Sequence, residues 1–284
     1  LLALSLFGFG VAHGAMDVTM NVWATEVEKA ADRALMASFH AMFSLGAGLG
    51  AGLGYFAILH GVSVPMHFAS AGLSLAAVTL AFAATPWTSA QNIAHKASLF
   101  TFPKGALALV GLIALAAAMG EGAVADWAAV YLNGTLGLSQ AQATLGYSTF
   151  SAAIFTARML ADRAINRFGP PAIARASGIA ATLGIIVATT AMGLPQALIG
   201  FAMMGAGYAT LFPLAFSRAA ADPDISPGRA IASVATLGYG GLLAGPPLIG
   251  FLAEATSLRL ALASLAAFAI LIVAFAPHLR VPRS

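Results

Sequence analysis

The chain has 284 residues, of which 60% are hydrophobic and only 8% charged, with a formal net charge of +3 and a mean hydropathy of +0.90. A water-soluble domain carries roughly 25% charged residues, so a soluble enzyme or a nucleic-acid binder is excluded. Zero cysteines remove disulfides and thiol chemistry. Nine apolar stretches follow one another, at 1–23, 34–60, 64–84, 105–132, 140–159, 171–192, 195–216, 229–253 and 258–277. Each offers about 20 or more mostly apolar residues, enough at about 1.5 Å per residue to cross a hydrocarbon core of roughly 30 Å. The thirty glycines suit helices that pack in lipid through small residues.

The cations fall in alternate gaps. Lys29 and Arg33 follow the first span, and Lys96 and Lys104 the third. Arg158, Arg163, Arg167 and Arg175 flank the fifth gap, Arg218 and Arg229 the seventh, and Arg280 and Arg283 follow the ninth span. Only Arg259 lies on the other side. Cytoplasmic loops retain Lys and Arg, so the expectation is a multi-pass all-α protein of the bacterial inner membrane with a cytoplasmic C-terminus. Residue 1 is a leucine already inside an apolar run, without the basic flank of a signal peptide. Nine spans ending inside would start outside, which suggests an odd number of spans upstream.

An internal echo suggests how many. Gly8-Phe9 aligns with Gly200-Phe201, Arg33-Ala34 with Arg229-Ala230, Ser38 with Ser233, and Gly46 and Gly50 with Gly241 and Gly245. Spans one and two thus repeat in spans seven and eight. A six-span period belongs to transporters built from two six-helix halves, and it places three helices before residue 1.

The fifth gap carries Arg158, Asp162, Arg163, Arg167 and Gly169 within RMLADRAINRFG. This run resembles the cytoplasmic-loop signature of the major facilitator superfamily, in the form found between helices eight and nine. The resemblance implies an all-α membrane protein with the major facilitator fold, nine of twelve transmembrane helices present. Residues 1–84 would be the remnant of the first bundle (helices four to six), 85–104 a cytoplasmic linker, and 105–284 the second bundle (helices seven to twelve). Two stretches, Asp17-Val-Thr-Met-Asn21 and residues 120–132 (GEGAVADWAAVYL), resemble the bacterial branch that includes fucose permease. In the fifth-gap motif, Asp162 would accept charge-assisted hydrogen bonds from a guanidinium and hold a cytoplasmic gate closed.

Ionisable groups inside a membrane are costly and usually functional. His13, Asp17 and Asn21 recur every four residues and share one helix face. Asp17 matches the carboxylate that the resembled branch uses in proton coupling, and His13 would tune it or share its proton. Asn21, His40, Glu121, Trp127 and Tyr131 are expected to line the substrate cavity. Gly120 and Gly122 would permit a kink at Glu121, while Trp127 and Tyr131 would form an aromatic ledge or belong to an interfacial belt. Gly46, Gly50 and Gly54 form a helix-contact face, and the pair Pro246-Pro247 implies a break in its helix. Tyr208, Phe212 and Tyr239 are assigned to ordinary packing, with cavity lining as the other reading.

Together these features predict a secondary transporter of one small solute, working by alternating access as a proton symporter. A sugar or sugar-like polyol leads because of the branch resemblance. The protein would be a monomer in the bilayer with no cofactor, no metal and no enzymatic activity. An efflux antiporter of the same superfamily is the alternative, weakened by the lack of proline in the second span. An intramembrane metal-dependent enzyme is the remaining one, but His13, Asp17 and His40 lack the clustered spacing of a zinc site.

Overall fold

The computed structural model describes residues 2–84 and 102–281; most of the expected linker, residues 85–101, lies outside them. Every apolar stretch is helical. The elements are α1 (Leu2–Ala31), α2 (Met36–Leu59), α3 (Val64–Ala83), α4 (Ala106–Val130), α5 (Gln140–Phe168), α6 (Pro170–Thr189), α7 (Leu194–Tyr208), α8 (Leu211–Ala220), α9 (Pro227–Ala255), α10 (Leu258–Ala263) and α11 (Leu265–Phe275). A π turn, Tyr131–Thr135, prolongs α4, and a 3₁₀ turn, Ala276–Leu279, follows α11. Among the described residues, six spans are long and apolar enough to cross a membrane: Val64–Ala83, Ala106–Thr135, Pro170–Thr189, Leu194–Ala220, Pro227–Ala255 and Leu258–Leu279. The spans α1 and α5 carry more charge, including Asp17, Glu26, Glu28 and Lys29 in one and Arg158, Asp162, Arg163 and Arg167 in the other.

Two compact units divide inside α2, one comprising Leu1–Ala41 with Lys96–Ser284 and the other Met42–His95. In the second unit α3 opens with Pro65 in its first turn, after Ser63 in extended conformation, and buries none of its residues. Gly46 of α2 has no neighbour close to where a Cβ would stand, and the surroundings of Gly50 and Gly54 lie outside the described residues.

The first unit is closed by contacts at backbone distance. A Cβ at Gly200 of α7 would overlap the main chain of Ala188 on α6, and one at Gly241 of α9 would stand 2.5 Å from the Leu115 carbonyl of α4. Such approach replaces the hydrophobic driving force that lipid cannot supply. Local signals set the joints. Ser139 caps α5 in a reciprocal capping box with Gln142. Gly169, with φ +80°, ends α5 and hands over to Pro170 and Pro171 in the first turn of α6.

One expectation is corrected. The helix containing Pro246 and Pro247 does not break, for α9 runs through both rings. Proline deletes a donor and crowds the carbonyl four residues earlier, here those of Leu242 and Leu243, yet the helix continues while packed against α4, with Leu242 against Gly122 and Gly241 on the Leu115 carbonyl. The interruption falls instead in the seventh span, between Tyr208 and Leu211. Pro213 explains it: its missing N–H leaves the carbonyl four residues earlier, that of Ala209, without a helical partner.

Candidate functional site

A chain of polar side chains joins α1, α2 and α9. The Tyr239 hydroxyl of α9 donates to Asp17 Oδ2 at 2.5 Å. Asn21 Nδ2 donates to Asp17 Oδ1 at 3.2 Å and to the Asp17 carbonyl at 2.8 Å, so its Oδ1 is left as an acceptor. His40 Nε2 lies 3.1 Å from that oxygen, which requires the His40 proton to sit on Nε2. Both Asp17 oxygens therefore accept. His40 also packs against Phe216 of α8, ring centroids 6.0 Å apart. His13, in contrast, is exposed and stacks on Phe9.

A second polar node lies within α4, α5 and α7. Arg158, only 6% exposed, donates from Nε to the Ala209 carbonyl at 3.0 Å, capturing the acceptor that Pro213 orphans. Its Nη2 lies 3.6 Å from Glu121 Oε1, an ion-pair distance too long for a hydrogen bond. Glu121 is half-buried, and α4 does not kink there. Gly120 instead makes room for the end of the Tyr208 ring, which a Cβ would overlap. Beyond the break, the hydroxyls of Ser177 and Thr210 share a hydrogen bond of 2.8 Å.

The start of α2 forms a third constellation, at the end of the unit where Lys29, Arg33 and Arg218 line a recess of about 520 Å³. The first amides of a helix have no intrahelical acceptor, and here three side chains take them all. Asn166 Oδ1 accepts from Ala34 N–H at 3.0 Å. Glu28 Oε1 accepts from Leu35 and Met36 at 2.7 and 2.8 Å. Asp162 accepts from Ala37 at 3.2 Å, from Ser38 N–H at 2.9 Å and from the Ser38 hydroxyl. Glu28 Oε2 further accepts from Ser217 of α8 at 3.1 Å. The partner of Asp162 is thus a helix N-terminus rather than a guanidinium, for aligned N–H groups carry positive charge without a cation. Arg163 is exposed, and Arg167 is exposed and lies over the Phe168 ring.

Trp127 and Tyr131 do not form a ledge together. Tyr131 is fully buried, donating to the Ala188 carbonyl at 3.0 Å. Trp127 packs on Gly250. Arg259, the exception to the charge pattern, donates to the Thr189 and Ala191 carbonyls at 2.6 and 3.3 Å and lies over Tyr131, capping the end of α6. Among the described residues no group of three or more His, Asp or Glu could hold a metal ion. Sequence reasoning missed Glu28, Asn166 and Ser217, and treated Tyr239 as packing. The signal for Asn166 was present, since Arg158, Asp162 and Asn166 recur every four residues along one face of α5.

Helices packed through glycine, a helix interrupted beside a buried ion pair and a second carboxylate bridging two helices are the features of a polytopic membrane transporter. No protein-family model matches the chain. It is 44% identical over 281 residues to an uncharacterized transporter, y4wD, of Sinorhizobium fredii, covering 99% of this chain and 74% of that protein. It is 34% identical over 275 residues to an uncharacterized MFS-type transporter of Yersinia pestis, covering 97% and 71%. The membrane protein MosC of Rhizobium meliloti is 30% identical over 277 residues, covering 94% and 65%. The chain belongs to the major facilitator superfamily. Two solved structures share the fold: that of the Escherichia coli fucose:proton symporter FucP, with a TM-score of 0.53 at 17% identity, covering 62% of this chain and 43% of that chain, and that of a major facilitator superfamily transporter, FucP, in the outward conformation, with a TM-score of 0.50 at 18% identity, covering 62% and 42%.

Proposed function

We propose that the protein is a proton-coupled symporter of a small, sugar-like solute, working as a monomer in the bacterial inner membrane with its C-terminus in the cytoplasm. Residues 1–84 belong to the first bundle and 105–284 to the second, joined by the linker at 85–104, and solute passes as the bundles rock about a midplane site. The observation that carries this reading is the bond from Tyr239 of α9 to Asp17 of α1. Both oxygens of Asp17 already accept a hydrogen bond, so a proton arriving there turns an acceptor into a donor. A proton on Asp17 removes the charge that strengthens the bond from Tyr239 to Oδ2, which ties proton uptake to the contact between α1 and α9. The similarity to a fucose:proton symporter supports both the coupling and the solute class. The carboxylates at the start of α2 act as the cytoplasmic gate.

The test uses the intact protein in proteoliposomes with fucose as the first solute. Asp17→Asn, which cannot exchange a proton, is expected to retain counterflow exchange and lose uphill accumulation driven by a pH gradient. Uphill accumulation at the wild-type level in that variant would refute the coupling.

A further inference from the structure

We infer that Glu121 and Tyr208 form the second-bundle half of the solute site and grip one hydroxyl group of an uncharged, polyhydroxylated solute. The inference rests on the transport reading above and specifies where and what the site binds. Among the described residues, four buried side-chain atoms lack a hydrogen-bond partner: Glu121 Oε1, Trp127 Nε1, Tyr208 Oη and Arg218 Nε. Such atoms are rare in native proteins because each forfeits the hydrogen bonds it made to water in the unfolded chain, and the cost rises where no water is near. Two of the four are neighbours. The Tyr208 hydroxyl rests on Gly120, next in sequence to Glu121, within electrostatic reach of that carboxylate. Tyr208 is also the last residue of α7, at the interruption of its span, and interrupted helices are where transporters place their solutes.

The charges and vacancies select the ligand. Arg158 is committed, with Nε on the Ala209 carbonyl and Nη2 facing Glu121, so it balances the carboxylate and leaves the node neutral. An anionic solute would meet an acceptor, Glu121 Oε1, and no uncommitted cation in this node. A cationic solute would compete with Arg158 for a charge already matched. What the node has open is one acceptor, Glu121 Oε1, beside one hydroxyl, Tyr208, that can donate. A hydroxyl group supplies the complement of both, donating to the first and accepting from the second. Arg158 is accordingly a positioning residue, aligning Glu121 through the ion pair and holding the break in the helix through Ala209.

Counterflow is measured in proteoliposomes of the intact protein with four labelled probes: fucose, mannitol, glucuronate and glucosamine. Wild type is expected to exchange the uncharged pair in preference to the charged pair. Tyr208→Phe, which removes only the hydroxyl, is expected to raise KM for the better uncharged probe roughly tenfold without lowering the melting temperature. A preference for glucuronate or glucosamine, alongside uphill uptake that still depends on Asp17, would overturn this site and leave the transport reading standing. Exchange of none of the four, with no proton-driven uptake, would overturn both. A Tyr208→Phe protein with a raised melting temperature and an unchanged KM would mark the two atoms as a structural or water-filled node and also overturn the proposal.

Discussion

Replacing Asp162 with asparagine should loosen the contact at the start of α2 while leaving the helices folded. The carboxylate is almost wholly buried and accepts from the Ala37 and Ser38 amides and from the Ser38 hydroxyl. Hydrogen bonds to an ionised group contribute about 1.5–3 kcal/mol each, and neutral ones about 0.5–1.5. Asparagine keeps one acceptor oxygen, so one amide bond survives in neutral form, while the interaction of a full charge with the helix N-terminus is lost. The net loss is about 1–3 kcal/mol, which shifts a two-state equilibrium roughly 5- to 150-fold toward the open form. The absence of native cysteines provides a clean assay. Thr25 of α1 is buried and lines the recess beside the contact, so a Thr25→Cys protein reports opening through its rate of labelling by a membrane-impermeant maleimide added on the side of Lys29 and Arg33. Labelling should accelerate by at least fivefold when Asp162→Asn is added. A rate within about twofold of the parent would refute the view that this carboxylate holds the gate.

Two further outcomes follow from the same geometry. Arg259→Lys keeps the charge but loses the planar fork that reaches both Thr189 and Ala191; the loss of one such bond, about 1.5–3 kcal/mol, should lower the melting temperature in detergent by about 3–12 °C, and an unchanged value would remove Arg259 from the scaffold. Asp162→Asn and Asn21→Ala, combined in the Thr25→Cys background, should deviate from additivity by at least about 0.5 kcal/mol, because Ser38 and His40 ride on the same turn of α2; strict additivity would show that gate and relay open independently.

The helical stretches among the described residues were legible because hydropathy is a property of long windows, and the α5–α6 joint because Gly169, Pro170 and Pro171 punctuate it. The charge pattern also pointed to the one cation that behaves differently, since Arg259 serves a helix end inside the bundle. Less legible was anything that depends on which helices become neighbours. Asp17 was singled out by the four-residue polar stripe it shares with His13 and Asn21 and by its match to the resembled branch, but its partner Tyr239 is 222 residues away and carries no local mark. Arg158 was grouped with Asp162 because both belong to one motif, whereas a helix separates them by a turn, enough to send one side chain to the interior and the other to the start of α2. Pro213 was the overlooked local signal: counting back four residues identifies Ala209 as an orphaned carbonyl, and an orphaned carbonyl in a membrane needs a donor nearby.

The first turn and a half of α2 joins what would otherwise be separate devices. Its amides from Ala34 to Ser38 are bound by Asn166, Glu28 and Asp162, and two residues further on His40 bonds Asn21 and packs on Phe216. A helix is stiff over so short a distance, because each residue is tied to the one four places on. Withdrawing α2 from Asp162 therefore displaces His40 as well, and with it the acceptor side of Asn21 whose donor side holds Asp17. Under the proposed mechanism, proton occupancy at Asp17 and the state of the proposed gate would be two readouts of one rigid segment. Linkage would then require that each bias the other by the same free energy, which is what the proposed proton-coupled cycle needs if both gates are not to open while the proton is in transit.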